Sequence, residues 1–266
     1  MNSAWNILGI NLAAAIALMF CVWLLSLLKK DVSIVDIFWG LGFVLIAWLS
    51  FVQTDGYWGR KILIALLTTV WGLRLAIHIA LRNRGKVEDP RYGSMREKHG
   101  SGFWWISLFT VFTLQALLLW VISLVVQVGQ LSSVPARLVW LDILGASVWL
   151  IGFFFETVGD WQLARFTADP ANKNKVLTKG LWALTRHPNY FGETLVWWGL
   201  FFIALATPYG LWTIISPLLI TFLLLRVSGV PLLEETMLAA QPGYREYVKN
   251  TSPFIPWFSK KKETKS

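Results

Sequence analysis

The sequence predicts an all-α, polytopic membrane fold with seven transmembrane helices, the N-terminus outside and the C-terminus cytoplasmic. Three observations predict it. The 266 residues are 56% hydrophobic, include 17 Trp and have a mean hydropathy of +0.56, a composition that belongs to chains buried in lipid. Seven apolar stretches, at roughly 5–28, 34–52, 62–81, 104–128, 138–158, 190–207 and 209–225, mostly reach the about 17–25 residues that span a bilayer. Positive charge alternates between the connecting segments.

The first stretch has no basic leader, no small-residue cleavage site and too much length for a signal peptide, so it reads as a helix. It carries Cys21, the single cysteine, which excludes an internal disulfide partner and a cysteine-based metal site. The second places Asp36 just inside its start. The third ends with Trp71, Arg74 and His78, spaced three and four apart and therefore on one helix face. It runs into a polar segment, 82–92, with Asn83, Arg84 and Lys86; Glu88 to Tyr92 reads either as a loop turn or as part of the polar site. The fourth opens on Trp104-Trp105, aromatic belt or packing residues. The fifth ends with Glu156 and Asp160, four apart. The sixth and seventh are short and share Pro208-Tyr209-Gly210, the signature of a helical hairpin. The whole, 1–266, reads as one membrane domain. The basic tail at 259–266 reads as a membrane-surface anchor.

Of the 24 Lys and Arg, 20 fall after the first helix, between the third and fourth, between the fifth and sixth, or beyond the seventh. By the positive-inside rule those segments are cytoplasmic, and an odd helix count agrees. The net charge of +9 follows from this bias. No basic face with interleaved aromatics lies outside the apolar stretches, so nucleic acid is not expected as a partner. Neither a Walker loop, a G-x-G-x-x-G nor an H-E-x-x-H occurs, and no metal is expected.

The densest chemical signal is Thr185-Arg186-His187-Pro188-Asn189-Tyr190-Phe191-Gly192-Glu193. A cation, an imidazole, an amide, a phenol and a carboxylate open an apolar segment, where polar groups cost several kcal/mol unless paired or wet. After the seventh helix come Glu234-Glu235 and Tyr244-Arg245-Glu246-Tyr247. All these groups fall on the cytoplasmic side. The sequence therefore predicts one cavity opening to the cytoplasm. Its cations (Arg74, Arg84, Lys86, Lys175, Arg186) suit phosphates or a carboxylate, and its carboxylates (Asp36, Glu156, Asp160, Glu193, Glu234) suit ribose hydroxyls or an amine. A nucleotide cofactor fits that mixture better than a bare ion.

Val35 to Gly40, the run Trp71 to Tyr92, Gly180-Leu181-Trp182 with the Arg186–Glu193 cluster, and the ending Gly243-Tyr244 to Trp257 together resemble the steroid 5-alpha-reductase-like superfamily. The likeness is to its bacterial branch, labelled a domain of unknown function. The resemblance implies seven helices and NADPH-dependent reduction of an activated carbon–carbon double bond in a lipophilic steroid-, isoprenoid- or enone-like substrate. It places the chain in the inner membrane of a bacterium. It makes Asn83, Arg84 and Lys86 phosphate-holding residues, Asp160 and Lys175 cofactor-binding residues, and Asn189 with Glu193 the pair that grips the nicotinamide. Arg74 matches a family arginine at the same cavity, and Asp36 falls where eukaryotic members place a catalytic glutamate. Trp71 stands where those reductases carry a ketone-polarising tyrosine. An indole donates a hydrogen bond but is no general acid, which leaves His78 or protonated Asp36 as the proton donor.

Arg186, His187, Pro188, Tyr190, Gly192, Glu234, Glu235, Gly243, Tyr244 and Tyr247 also resemble isoprenylcysteine carboxyl methyltransferase-like enzymes, in which they hold S-adenosylmethionine. The alternative function is thus methyl transfer to a lipid acceptor. A third reading is a non-catalytic lipid- or nucleotide-binding membrane scaffold.

Overall fold

A computed structural model describes residues 3–227, 229–241 and 243–258. The predicted basic tail, 259–266, lies outside the described residues. The chain is an all-α polytopic membrane protein. Among the described residues six helical segments are long and apolar enough to cross a membrane: Ala4–Lys29, Ile34–Gln53, Trp58–Asn83, Pro90–Val128, Trp140–Ala168 and Gly210–Val227. The predicted sixth span is a helix too, Pro188–Leu205, but it is not among those six. Its first turns carry Asn189, Tyr190 and Glu193, and these dilute its apolarity.

The helices are α1 (Ala4–Lys29), α2 (Ile34–Gln53), α3 (Trp58–Asn83), α4 (Pro90–His99), α5 (Phe103–Ser107), α6 (Leu114–Ile122), α7 (Leu124–Val128), α8 (Trp140–Ala168), α9 (Pro188–Leu205), α10 (Ile215–Phe222), α11 (Val230–Ala240) and α12 (Tyr244–Asn250). Contacts divide the described residues into two compact units. The first runs to Ile143 and includes Phe201–Ser216; the second comprises Leu144–Leu200 and the chain from Pro217 onward.

In the first unit, α1 starts where the Ser3 side chain accepts the Asn6 amide. It stops at Lys30, whose φ of 55° ends the helix in the left-handed region. Outward residues such as Ile10, Ile16, Phe20 and Leu24 on α1 and Val70, Ile77 and Leu81 on α3 are exposed and apolar, as a lipid-facing surface requires. Helices α2 and α3 touch backbone to backbone. A Cβ on Gly40 would stand 2.4 Å from the Gly72 carbonyl oxygen, so only glycine permits this approach. Below it Phe43 meets Trp71 edge to face at 5.6 Å.

Polar groups buried in this unit are mutually satisfied. Asn11 donates to Ser50 Oγ at 2.9 Å and to Gln127 Oε1 at 3.0 Å. Arg60, read in the sequence as an outer-loop cation, instead makes a two-bond pair with Asp142 at 2.7 and 2.9 Å. Both of its side chains are 1% exposed, so removing one partner would cost about 3–5 kcal/mol.

Two readings are corrected here. Pro90–His99 is a helix, not the end of a loop turn: Asp89 accepts the Arg91 amide as N-cap and Pro90 occupies the first turn. The fourth apolar stretch is not one uninterrupted α-helix. Leu108–Thr113 is a π-helical turn in which the Thr113 hydroxyl donates to the Leu108 carbonyl, five residues back, at 2.8 Å.

In the second unit, α8 and the first part of α9 cross at glycines. A Cβ on Gly192 would meet the Glu156 amide nitrogen at 2.4 Å, and one on Gly199 would meet the Trp149 amide nitrogen at 2.6 Å. The seven-residue spacing of these glycines keeps one stripe of α9 against α8 over two turns. The connecting segment is tied back to α8: Trp182 Nε1 donates to the Gly159 carbonyl at 3.0 Å.

Candidate functional site

In the second unit the glycine crossing brings the start of α9 against the carboxylates of α8. Asn189 Nδ2 donates to Asp160 Oδ1 at 3.1 Å. Asp160 and Glu156 are both buried, one turn apart on the same face of α8. Glu193 lies half-buried one turn beyond Asn189. The amide, the paired carboxylate and the second α8 carboxylate thus belong to one helix crossing, 29 residues apart along the chain at Asp160 and Asn189.

A second cluster surrounds Glu234 of α11. Arg186 Nε donates to Glu234 Oε1 at 2.7 Å, and His187 Nε2 lies 3.0 Å from the same oxygen. Arg186 also donates through Nη1 to the Val248 and Thr251 carbonyls, both at 3.0 Å. That triple anchorage fixes the segment before α9 to the end of α12. Tyr190 stacks on the His187 ring at 5.5 Å. Burial works against ionising Glu234, but the bonds from Arg186 and His187 outweigh it and lower its pKa. Burial lowers the pKa of His187, with Glu234 opposing, so the imidazole is neutral at pH 7. A neutral imidazole beside a carboxylate carries its proton on Nε2. Its Nδ1 is then a buried acceptor that no partner meets among the described residues, and the same holds for the buried Tyr244 hydroxyl. Burial, reinforced by Glu234, pushes the Tyr244 pKa up to about 12, which keeps the phenol a donor. An unsatisfied acceptor and an unsatisfied donor in one cluster fit the polar end of a bound cofactor.

The first unit contains the Asp36 cluster. Arg91 Nη2 donates to Asp36 Oδ2 at 2.8 Å, and the Tyr92 hydroxyl donates to Oδ1 at 3.0 Å. Arg91 also grips Asp89 at 2.9 Å. Beside it, Arg96 makes two bonds of 2.8 Å to Glu88, whose Oε1 accepts the Val32 amide at 2.7 Å. Burial opposes ionisation of Glu88, but Arg96 and Val32 together lower its pKa. The start of α4 therefore clasps the α1–α2 turn and orients Asp36. Sequence reasoning missed Arg91 and Tyr92 as its partners, because 55 and 56 residues separate them from Asp36. The signal present was Asp89-Pro90, which marks a helix start directly before Arg91 and Tyr92.

The remaining predicted residues are placed as follows. Trp71 is fully buried against Phe43 inside the packed α2–α3 contact. Arg74 and His78 are half-buried on α3. Asn83 is half-buried at the end of α3, while Arg84 and Lys86 are exposed on either side of Gly85, whose φ is 73°. Neither cation has an ion-pair partner among the described residues. Lys175 is exposed in the segment between α8 and α9.

The sequence profile of one protein family, described as "Protein of unknown function (DUF1295)", matches residues 22–251. The chain belongs to this family. No curated protein and no solved structure matches it. The DUF1295 match takes in Asp36 with its Arg91 and Tyr92 partners, the α8–α9 crossing and the Glu234 cluster. All the candidate residues, from Asp36 through Tyr244, therefore lie inside the family's stretch.

Proposed function

We propose that this DUF1295 protein is a membrane-embedded, NADPH-dependent reductase of an activated carbon–carbon double bond in a lipophilic substrate, akin to the steroid 5-alpha-reductase-like superfamily. The observation that carries this reading is the Asn189–Asp160 bond at the glycine crossing, with Glu156 and Glu193 one turn to either side. An amide and carboxylates together recognise groups that both donate and accept, such as a carboxamide and ribose hydroxyls. Asn83, Arg84 and Lys86 are assigned to phosphate oxygens, with the two exposed cations beside Gly85 free to turn toward one anion. NADPH, when bound, supplies the hydride. The chain's part is to bind and orient it, to exclude water, and to place donors where charge develops on the substrate carbonyl. Asp36, fixed by Arg91 and Tyr92, orients that carbonyl. Tyr92 and Arg91 hold the Asp36 carboxyl in place, and His78 or protonated Asp36 supplies the proton where Trp71 has none to give. The cytoplasmic C-terminus and the bacterial inner membrane belong to the same proposal.

The second reading is methyl transfer from S-adenosylmethionine, and the meeting of Arg186, His187 and Glu234 favours it. These three share the methyltransferase-like motif, and they converge on one carboxylate oxygen. A carboxylate with an unsatisfied imidazole and phenol suits an amino-acid end as well as an amide.

Thermal unfolding of detergent-purified protein with each cofactor separates the two. A ligand at a hundred times its dissociation constant adds about 2.7 kcal/mol. NADPH is expected to stabilise the protein and S-adenosylmethionine to leave it unchanged. Stabilisation by S-adenosylmethionine alone would overturn the reductase, and stabilisation by neither would favour the scaffold.

A further inference from the structure

A groove of about 300 Å³ lies between the end of α8 and the segment that follows it, and neither reading above uses it. Its walls are fastened together. Gln162 Oε1 accepts the Leu181 amide at 3.0 Å, and Asn172 Nδ2 donates to the Phe166 carbonyl at 3.0 Å. Gly180, at φ 65°, lets the chain turn tightly onto Gln162.

Two cations face the groove from opposite walls, Arg165 from α8 and Lys179 from the returning segment. Both are exposed, and neither has an ion-pair partner among the described residues. The carboxylate in the lining, Asp169, accepts the Ala171 amide through Oδ1 at 2.9 Å. Arg165 lies over the Trp161 ring at 5.6 Å.

Position selects the ligand. A helix of 29 residues such as α8 is about 44 Å long, against about 30 Å of hydrocarbon. Its apolar stretch ends near residue 158, so its final turns extend past the hydrocarbon to headgroup depth. Trp161 is 57% exposed there, an amphipathic ring of the kind that marks the membrane–water boundary.

We propose that this groove binds the phosphate of an anionic phospholipid, with Arg165 and Lys179 gripping the phosphate oxygens and Trp161 lying against the glycerol–acyl junction. Guanidinium and ammonium groups bind phosphate oxygens by charge-assisted hydrogen bonds. A soluble phosphate offers the same oxygens but no chain for Trp161 to cover. The proposal does not rest on the reductase reading.

The test is native mass spectrometry of the full chain in neutral detergent, titrated with phosphatidylglycerol and with phosphatidylcholine, alongside separate titrations with NADPH and with inorganic phosphate. Phosphatidylglycerol is expected to be retained over phosphatidylcholine. Its affinity should fall about fivefold for each cation removed in Arg165→Ala and Lys179→Ala, stay largely intact in Arg165→Lys, and leave NADPH binding unchanged. Unaltered phosphatidylglycerol affinity in the double variant would overturn the proposal. So would a loss confined to NADPH or inorganic phosphate, which would assign the groove to a soluble phosphate. If the double variant does not fold, Lys179→Gln, at an exposed and unpaired position, decides between the same outcomes.

Discussion

Arg186 and Glu234 lie 48 residues apart in the chain, yet their side chains meet at 2.7 Å. Their side chains are 9% and 19% exposed. Arg186 also bonds two carbonyls near the end of α12, so one guanidinium ties together the approach to α9, α11 and α12.

Removal of that guanidinium should therefore be costly. Arg186→Ala is expected to lose about 3 kcal/mol of unfolding free energy, since half-buried Glu234 keeps only His187 and the Val248 and Thr251 carbonyls lose their donor. Arg186→Lys should recover less than half, because an ammonium cannot reproduce the planar fork. Denaturant unfolding in micelles measures both, and a loss below about 0.5 kcal/mol would show the pair to be no better than a surface ion pair.

The same cluster sets an acid limit. His187 and Glu234 both have lowered pKa values in the folded protein. In each case the unfolded chain binds protons at a higher pH than the folded one, so folding stability rises with pH. The His187 contribution is complete above its ordinary value near 6.5 and drains away as pH falls below it. The Glu234 contribution is complete above 4.5 and is lost below that. Thermal unfolding followed from pH 8 to pH 3 should show a falling midpoint, and Glu234→Gln should flatten the part of the curve below pH 4.5. A midpoint that rises on acidification would contradict this assignment.

The glycine crossing can be tested by one carbon. Gly192→Ala places a Cβ 2.4 Å from the Glu156 backbone nitrogen, and backbone cannot swing aside. A loss of about 1–3 kcal/mol is expected, together with weaker NADPH binding as Asn189 is pushed from Asp160. Gly93→Ala, on α4 with nothing within 4 Å of the added carbon, should be neutral or slightly stabilising. Equal effects of the two changes would mean that the close approach does not hold the site.

Arg84→Ala separates binding from folding. The side chain is exposed and unpaired among the described residues, so unfolding should be unchanged. NADPH affinity should fall roughly tenfold or more, as loss of a charged hydrogen bond implies. Unchanged affinity would assign Arg84 to membrane-surface anchoring alone.

Asp36 and Glu193 carry the test of chemistry. Asp36→Asn and Tyr92→Phe should keep NADPH binding while slowing substrate reduction, because both change the substrate end of the reaction. Glu193→Gln should instead impair hydride transfer by loosening the cofactor ring, where an ångström of displacement can cost about a hundredfold. Single-turnover oxidation of NADPH with an enone-bearing lipid measures the difference. Full activity in Asp36→Asn would remove Asp36 from the catalytic group.

The sequence by itself determined the class of fold, six of the stretches long and apolar enough to cross a membrane, and the residues rich enough in polar chemistry to be suspected. Those follow from composition, apolar run length and local spacing, which is why Glu156 with Asp160 and Asn189 with Glu193 were legible as helix-face pairs. Only the tertiary structure decided partners. Arg91 and Tyr92 for Asp36, Glu234 for Arg186 and His187, and Asp160 for Asn189 come from segments 29 to 56 residues apart, where no local periodicity carries information. Arg60 shows the same limit in reverse: its charge count pointed to an exposed loop, whereas Asp142 and two carbonyls draw it inside. Backbone approach at Gly40–Gly72 and at Gly192 was likewise invisible in sequence. A glycine in an apolar helix reads as a weak helix former until a neighbouring backbone occupies the space its missing side chain leaves.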